Sequence, residues 1–407
     1  MVKKIIAIIV GLFCFGFTCG TLGSKIVKNI NEGKPAKYVF LFIGDGMGHA
    51  QAFLSESYLA YKDSGKFGGS QLLFTQFPDL GTCFTHSASS RVTDSAAAGT
   101  AIATGHKTHN GWLGMDADGN NVYSMAVDFH NMGYNVGVYS SVPVNHATPA
   151  AFYAHNNHRS DYYNISKQIP EGGFEFYGGA NFLEFEGPEG EPNTEEYLES
   201  NGYQVAFGQA EFDQIKDSEH VVLLAEPRSV EATEYVSDAT EAPQTMLLAD
   251  MTRNALEFLG DEKPFFIMCE GGEIDYMCHD DKTMPTVEAT LKFNDAIQVA
   301  YDFYLKHPKQ TLIVVTADHE TGGLTLGAEP LSYAIDWATM EQQWEESGHQ
   351  NTLSPEENKA LNESCGFGWT TTHHTGAPVP IYAIGKGSDK FRSRMDNTDI
   401  INKILCR

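Results

Sequence analysis

Lys37-Tyr38-Val39-Phe40-Leu41-Phe42-Ile43 runs directly into Gly44-Asp45-Gly46-Met47-Gly48. An apolar run with no polar alternation predicts a strand buried on both faces, the kind found in parallel sheets with helices on either side. The glycine-rich turn behind it stops the strand at an ionisable residue, Asp45.

The same design recurs along the chain. Residues 134–141 (YNVGVYSS) lead into Val144-Asn145-His146-Ala147-Thr148-Pro149, and residues 264–269 (PFFIMC) into Glu270-Gly271-Gly272. Residues 311–316 (TLIVVT) lead into Ala317-Asp318-His319-Glu320, residues 379–384 (VPIYAI) read as one more core strand, and 220–225 as a short one. Helical patterns lie between, at 122–131, 244–259 and 285–305. This alternation predicts an α/β fold, a three-layer α/β/α sandwich with a large, mainly parallel central sheet. Ligands bind beyond the carboxyl ends of such strands, so Asp45, Thr148, Glu270, Asp318 and His319 are expected to converge there.

The 407 residues read as a single catalytic domain over 35–407, with surface insertions expected at about 184–240 and 328–370. A formal charge of −26 excludes a nucleic-acid-binding surface. It also poses a question, since an acidic protein that handles anions must build positive charge from something other than Lys and Arg. At the N-terminus, Lys3 and Lys4 precede an apolar run and small residues, the pattern of a signal peptide over 1–20, with cleavage no later than about 23. The chain is therefore expected to be exported, periplasmic or extracellular. Cys19 leaves lipid anchoring to a membrane open. Past the leader, Cys83, Cys269, Cys278, Cys365 and Cys406 have no regular spacing and make no disulfide framework. Cys269 and Cys278 flank acids and a histidine, but without a Cys-x-x-Cys pair they read as buried packing residues.

Two stretches carry chemistry. In Arg91-Val92-Thr93-Asp94-Ser95-Ala96-Ala97-Ala98-Gly99, a loop turns into a helix of small residues at Ser95, whose hydroxyl and free helical N–H groups would face an anion. A helix N-cap is the plain alternative for this serine. In Glu270-Gly271-Gly272-Glu273-Ile274-Asp275-Tyr276-Met277-Cys278-His279, Asp275 and His279 stand four apart on one helical face, the spacing for a shared metal. Asp318-His319 offers a second carboxylate and imidazole, and His374 a further imidazole. Mixed Asp/His donors suit zinc and oxygen-rich ones magnesium, and adjacent dications would answer the charge question. Rival motifs fail. The segment from Gly99 to Lys107 has the wrong spacing for a phosphate loop, Ser95 lacks the flanking glycines of a hydrolase elbow, and Asp116-Ala117-Asp118-Gly119 reads as a turn, not a calcium loop.

These stretches together resemble the secreted bacterial alkaline phosphatases. The matching segments are Gly44-Asp45-Gly46-Met47-Gly48, Val92-Thr93-Asp94-Ser95-Ala96, Ala103-Thr104-Gly105-His106-Lys107-Thr108, Ala147-Thr148-Pro149-Ala150-Ala151, Glu270-Gly271-Gly272 with Ile274-Asp275, Thr316-Ala317-Asp318-His319 and His374-Thr375-Gly376, in the family's order. The resemblance implies hydrolysis of phosphate monoesters through a phosphoserine on Ser95, with two zinc ions and one magnesium ion as cofactors. It implies that Asp275, His279 and His374 bind the first zinc, which activates water, and that Asp45, Asp318 and His319 bind the second, which activates Ser95. Asp45, Thr148 and Glu270 would bind magnesium, and Arg159 would clamp two phosphate oxygens. His146 stands beside the magnesium site where some members have an acid, and Tyr276 where others carry lysine, histidine or tryptophan. Many members are homodimers, although no segment here identifies an interface. A phosphodiesterase or sulfatase on the same scaffold, or an inactive metal-stabilised binding protein, are the alternatives.

Overall fold

The computed structural model describes residues 33–63, 70–225, 246–327, 332–350 and 352–407. The leader read over 1–20, with Cys19, lies outside the described residues, as do parts of the two expected insertions.

In chain order the strands are β1 (Tyr38–Gly44), β2 (Asp79–Phe84), β3 (Asn135–Ser140), β4 (Phe176–Gly179), β5 (Gln204–Phe207), β6 (Val221–Leu224), β7 (Phe265–Gly271) and β8 (Thr311–Thr316). They continue with the two-residue strands β9 (Glu320–Thr321), β10 (Thr325–Leu326), β11 (Phe367–Gly368) and β12 (His374–Thr375), then β13 (Val379–Gly385) and β14 (Arg394–Asp396). Ten of them form one sheet in the order β14-β2-β13-β8-β1-β7-β3-β4-β6-β5. Only β13 runs against its neighbours, pairing antiparallel with both β2 and β8.

Strand β1 lies mid-sheet with every residue buried, as an unbroken apolar run requires. Its neighbours show why both faces are covered. Phe265 on β7 meets Phe303 of the helix Thr283–Lys306 at 5.3 Å between ring centroids, while the next residue, Phe266, stacks on Phe129 of the helix Met125–Asn131 at 4.9 Å. Successive side chains thus enter opposite helical layers.

Register then sets the site. Ile43 on β1 lies level with Glu270 on β7 and with Thr316 on β8, and Ser140 on β3 is level with Glu270. Four adjacent strands, β8, β1, β7 and β3, therefore finish along one rim.

The stretch expected as an insertion over 184–240 departs from that expectation. It contributes β5 and β6, which complete one edge of the central sheet. Strand β6 falls within the short strand expected over 220–225, whereas β5, with four residues, does not stand out against the surrounding Glu, Gly and Asn. The stretch expected at 328–370 forms two helices, Trp337–Glu346 and Pro355–Cys365, with a hydrophobic cluster separate from the main core.

Candidate metal centre

Asp45 follows β1, and its amide donates to the Gly271 carbonyl on β7 at 3.2 Å, tying the turn to the neighbouring strand. Gly46 has φ of 71°, and a Cβ there would sit 2.8 Å from Asp275 Oδ1. Glycine is needed so that the turn can pass against the helix Glu273–His279. On the other side of the sheet, the helix Ser95–Thr104 begins under the side-chain cap of Asp94, which accepts from the Ala97 amide at 3.0 Å. A Cβ on Gly99 would lie 3.1 Å from Ala151, so small residues let this helix lie close to the segment carrying Thr148.

Three groups of ligand-type atoms gather at the rim, each group within 4.8 Å: Asp275, His279 and His374; Asp45, Asp318 and His319; Asp45, His146 and Glu270. His319 Nε2 faces Asp318 Oδ2 at 3.2 Å and Asp45 Oδ1 at 3.4 Å. Ser95 Oγ stands 3.3 Å from the same nitrogen. In the other triad His279 Nε2 lies 3.2 Å from Asp275 Oδ2 and 3.1 Å from His374 Nε2, and His374 Nε2 lies 3.8 Å from Asp275 Oδ1. The rings of His319 and His374 stack with centroids 3.5 Å apart, so the two triads adjoin.

Each of these histidines is aimed from behind. His279 Nδ1 meets the Thr372 carbonyl at 2.6 Å, His374 Nδ1 the Thr93 carbonyl at 2.9 Å, and His319 Nδ1 the Thr321 hydroxyl at 3.2 Å. A carbonyl can only accept, so for His279 and His374 the proton sits on Nδ1 and the Nε2 lone pair faces the centre. The Thr321 hydroxyl in turn donates to Asp275 Oδ1, linking a residue of each triad.

The electrostatics call for cations. Asp45, Glu270, Asp275 and Asp318 are buried together. Burial, with the charges of Asp318, Asp275 and Glu270, pushes the Asp45 carboxyl well above its usual range. Burial and then Asp275 raise Asp318, while for Glu270 burial outweighs the opposing hydrogen bond from Ser140. Burial also pushes Asp275 up, but its hydrogen bond to His279 and the neighbouring imidazoles hold it below the carboxylate range. Among the described residues, both Asp45 oxygens, Glu270 Oε1, Asp318 Oδ2 and Thr148 Oγ1 are buried without a hydrogen-bond partner. Orphaned donor atoms of this kind, converging on one another, are what bound dications satisfy.

His146 and Thr148 flank this cluster, on the short helix Ala147–Ala150 and at its cap. The sequence reading put His146 beside the third group; its ring nitrogen lies within that group, alongside Asp45 and Glu270. Arg159 Nη2 donates to His146 Nε2 at 3.0 Å and Nη1 to Asp94 Oδ2 at 3.2 Å, which sets its guanidinium near the start of the Ser95 helix. Tyr276 is buried with its ring edge-on to His146 at 5.8 Å. Sequence reasoning missed Thr321, Ser140 and the Thr93 and Thr372 carbonyls. A threonine or a backbone carbonyl carries no signature until the fold brings it behind a ligand.

The alkaline phosphatase family profile matches residues 36–179 and 188–406. The chain belongs to the alkaline phosphatase family. It is 32% identical to alkaline phosphatase 4 of Bacillus subtilis (strain 168), over 90% of this chain and 88% of that protein. The structure of the alkaline phosphatase from the Antarctic bacterium TAB5 superposes with a TM-score of 0.73 at 28% identity, covering 91% of this chain and 98% of that one. A histidine-to-glutamate mutant of the TAB5 enzyme, with Mg bound in its M3 site, gives 0.73 at 29% identity, covering 91% and 97%. Family membership makes the chain a phosphomonoester hydrolase, and the mainly parallel sheet with helices on both sides is the fold of these neighbours.

Proposed function

We propose that this phosphatase works through a covalent phosphoserine on Ser95, with two zinc ions held by Asp275, His279, His374 and by Asp45, Asp318, His319. The observation that carries this reading is Ser95 Oγ at 3.3 Å from His319 Nε2, the nitrogen that also faces Asp45 and Asp318. When bound, such dications supply Lewis-acid charge to the attacking and leaving oxygens and make an oxygen nucleophile available. The oxygen donors Asp45, Glu270 and Thr148 suit magnesium, while the imidazole of His146, grouped with Asp45 and Glu270, favours a softer ion there.

The chain's own residues do the rest. Ser95 Oγ gives up its proton to solvent and attacks phosphorus in line, its bond to phosphorus forms as the ester oxygen leaves, and the alcohol departs with a proton from solvent. Water then attacks the phosphoserine, returning Ser95 and releasing inorganic phosphate. The N-terminal amides of the Ser95 helix and the planar fork of Arg159 bind the non-bridging oxygens. Asp94 positions both, capping that helix and pairing Arg159. Export of the mature chain is supported by the leader-like residues 1–20 alone.

An aryl phosphate assay at alkaline pH tests this reading. Wild type is expected to turn over, Ser95→Ala and chelator-treated protein to lose nearly all activity, and zinc with magnesium to restore the chelated sample. Full activity after chelation would overturn it.

A further inference from the structure

After His279 the chain reverses into the long helix Thr283–Lys306 through Asp280, Asp281 and Lys282. Asp281 has φ of 54°, a left-handed conformation that a non-glycine residue keeps only when its surroundings hold it. The helix Pro355–Cys365, from the segment outside the central sheet, holds it. Asn358 Nδ2 donates to the Asp280 carbonyl at 3.1 Å and the Asp281 carbonyl at 3.0 Å. Asn362 Nδ2 donates to the Asp281 carbonyl at 2.7 Å, and its Oδ1 accepts from Thr283 Oγ1 at 2.7 Å. Both asparagines are buried, and these contacts satisfy carbonyls that a helix end leaves open.

The same segment reaches the triad a second way. Past Asn362 the chain passes through β11 to Trp369, whose indole donates to Thr283 Oγ1 at 3.1 Å. It then supplies the Thr372 carbonyl behind His279, and His374 itself. Through Trp337, Met340, Trp344, Cys365 and Phe367 the segment packs onto Leu54 of the helix His49–Asp63 and onto Met284 and Val287 at the start of the helix Thr283–Lys306. The triad Asp45, Asp318 and His319, by contrast, hangs on the ends of β1 and β8.

We infer that Asn358 and Asn362 are positioning residues for the triad Asp275, His279 and His374, and that the helices Trp337–Glu346 and Pro355–Cys365 act as a clamp setting how long this triad keeps its ion. The inference rests on reading that triad as a metal site. Zinc-loaded full-length protein mixed with excess chromophoric chelator provides the test. Wild type is expected to release zinc in a fast and a slow phase, with His374→Asn deleting the fast one. Substituting both asparagines (Asn358→Ala with Asn362→Ala) is expected to speed the fast phase roughly 10-fold, the usual scale for losing a supporting shell, and to leave the slow phase unchanged. Asn362→Ala alone gives a milder version of the same shift. Tyr134→Phe, which removes a hydroxyl bond to the Ala36 carbonyl ahead of β1, at the end of the sheet away from the site, is expected to change neither phase. A fast phase untouched by the asparagine substitutions, or sped equally by Tyr134→Phe, would overturn the clamp alone. A wild type that holds no zinc would overturn the metal reading and the clamp with it.

Discussion

The two histidine–carboxylate triads are made of the same residue types and built in opposite ways. Asp45, Asp318 and His319 sit at the ends of β1 and β8, where parallel register fixes their height, and their side chains are 0% exposed. Asp275, His279 and His374 sit on a seven-residue helix and a two-residue strand, with His279 24% and His374 15% exposed. The first is a product of the sheet; the second is assembled by loops around it. Rigid strand ends give precision, while loop-borne ligands need partners such as Thr372, Asn358 and Asn362 to hold geometry.

That contrast can be broken by substitution. Asp45 belongs to two of the three ligand groups, so Asp45→Asn is expected to have the largest effect. Loss of several kcal/mol of charge stabilisation corresponds to a fall in kcat/KM on the order of 10³-fold. Added zinc should not restore it. His374→Asn, on the loop-borne triad, should fall less and recover in part at high zinc; equal losses without recovery for both variants would remove the distinction.

Thr321 sharpens it, because one hydroxyl touches Asp275 and His319. Thr321→Val is expected to lower zinc affinity by about 10- to 100-fold, with Thr321→Ser retaining most of it. Metal titration followed by thermal unfolding reads this directly. Unchanged affinity in the valine variant would mean that the two triads are independent.

The smallest effect is one of pH. In metal-free protein Glu270 is raised from 4.5 to about 7 and Asp318 from 3.8 to about 8. A carboxyl raised on folding binds protons more tightly in the folded state. Its stabilisation is therefore present below its unfolded value and lost as pH rises through its folded one. Below pH 6.5 the buried imidazoles of His146, His319 and His374, held below their usual value, oppose this trend; from pH 6.5 to about pH 8 the Tm of metal-free protein should fall, and zinc with magnesium should flatten that slope. A metal-free Tm that rises across the same window would contradict the crowded-carboxylate picture.

Much of this was legible in the chain. The four strands that bear the site read plainly, because β1, β3, β7 and β8 are interior and carry long apolar runs. Strand β2 was missed, since its side chains alternate between buried and less buried, and β4 and β5 because they have four residues each. Asp45, Glu270, Asp318 and His319 meet at one rim because each stands at or just past the end of a buried strand, and Asp275, His279, His374 and Ser95 lie beside them. What stayed hidden is the supporting layer. Thr321, Asn358 and Asn362 act through hydrogen bonds whose partners lie far away in sequence, and nothing in their residue types announces it.

In the proposed mechanism Ser95 carries the phosphoryl group between the two displacements. Wild-type protein incubated with inorganic phosphate or an aryl phosphate, then quenched in acid and digested, should show one added phosphoryl group on the peptide containing Ser95. The adduct should be absent in Ser95→Ala. Phosphate found on another residue, or turnover with no adduct on Ser95 under any quench, would contradict the account.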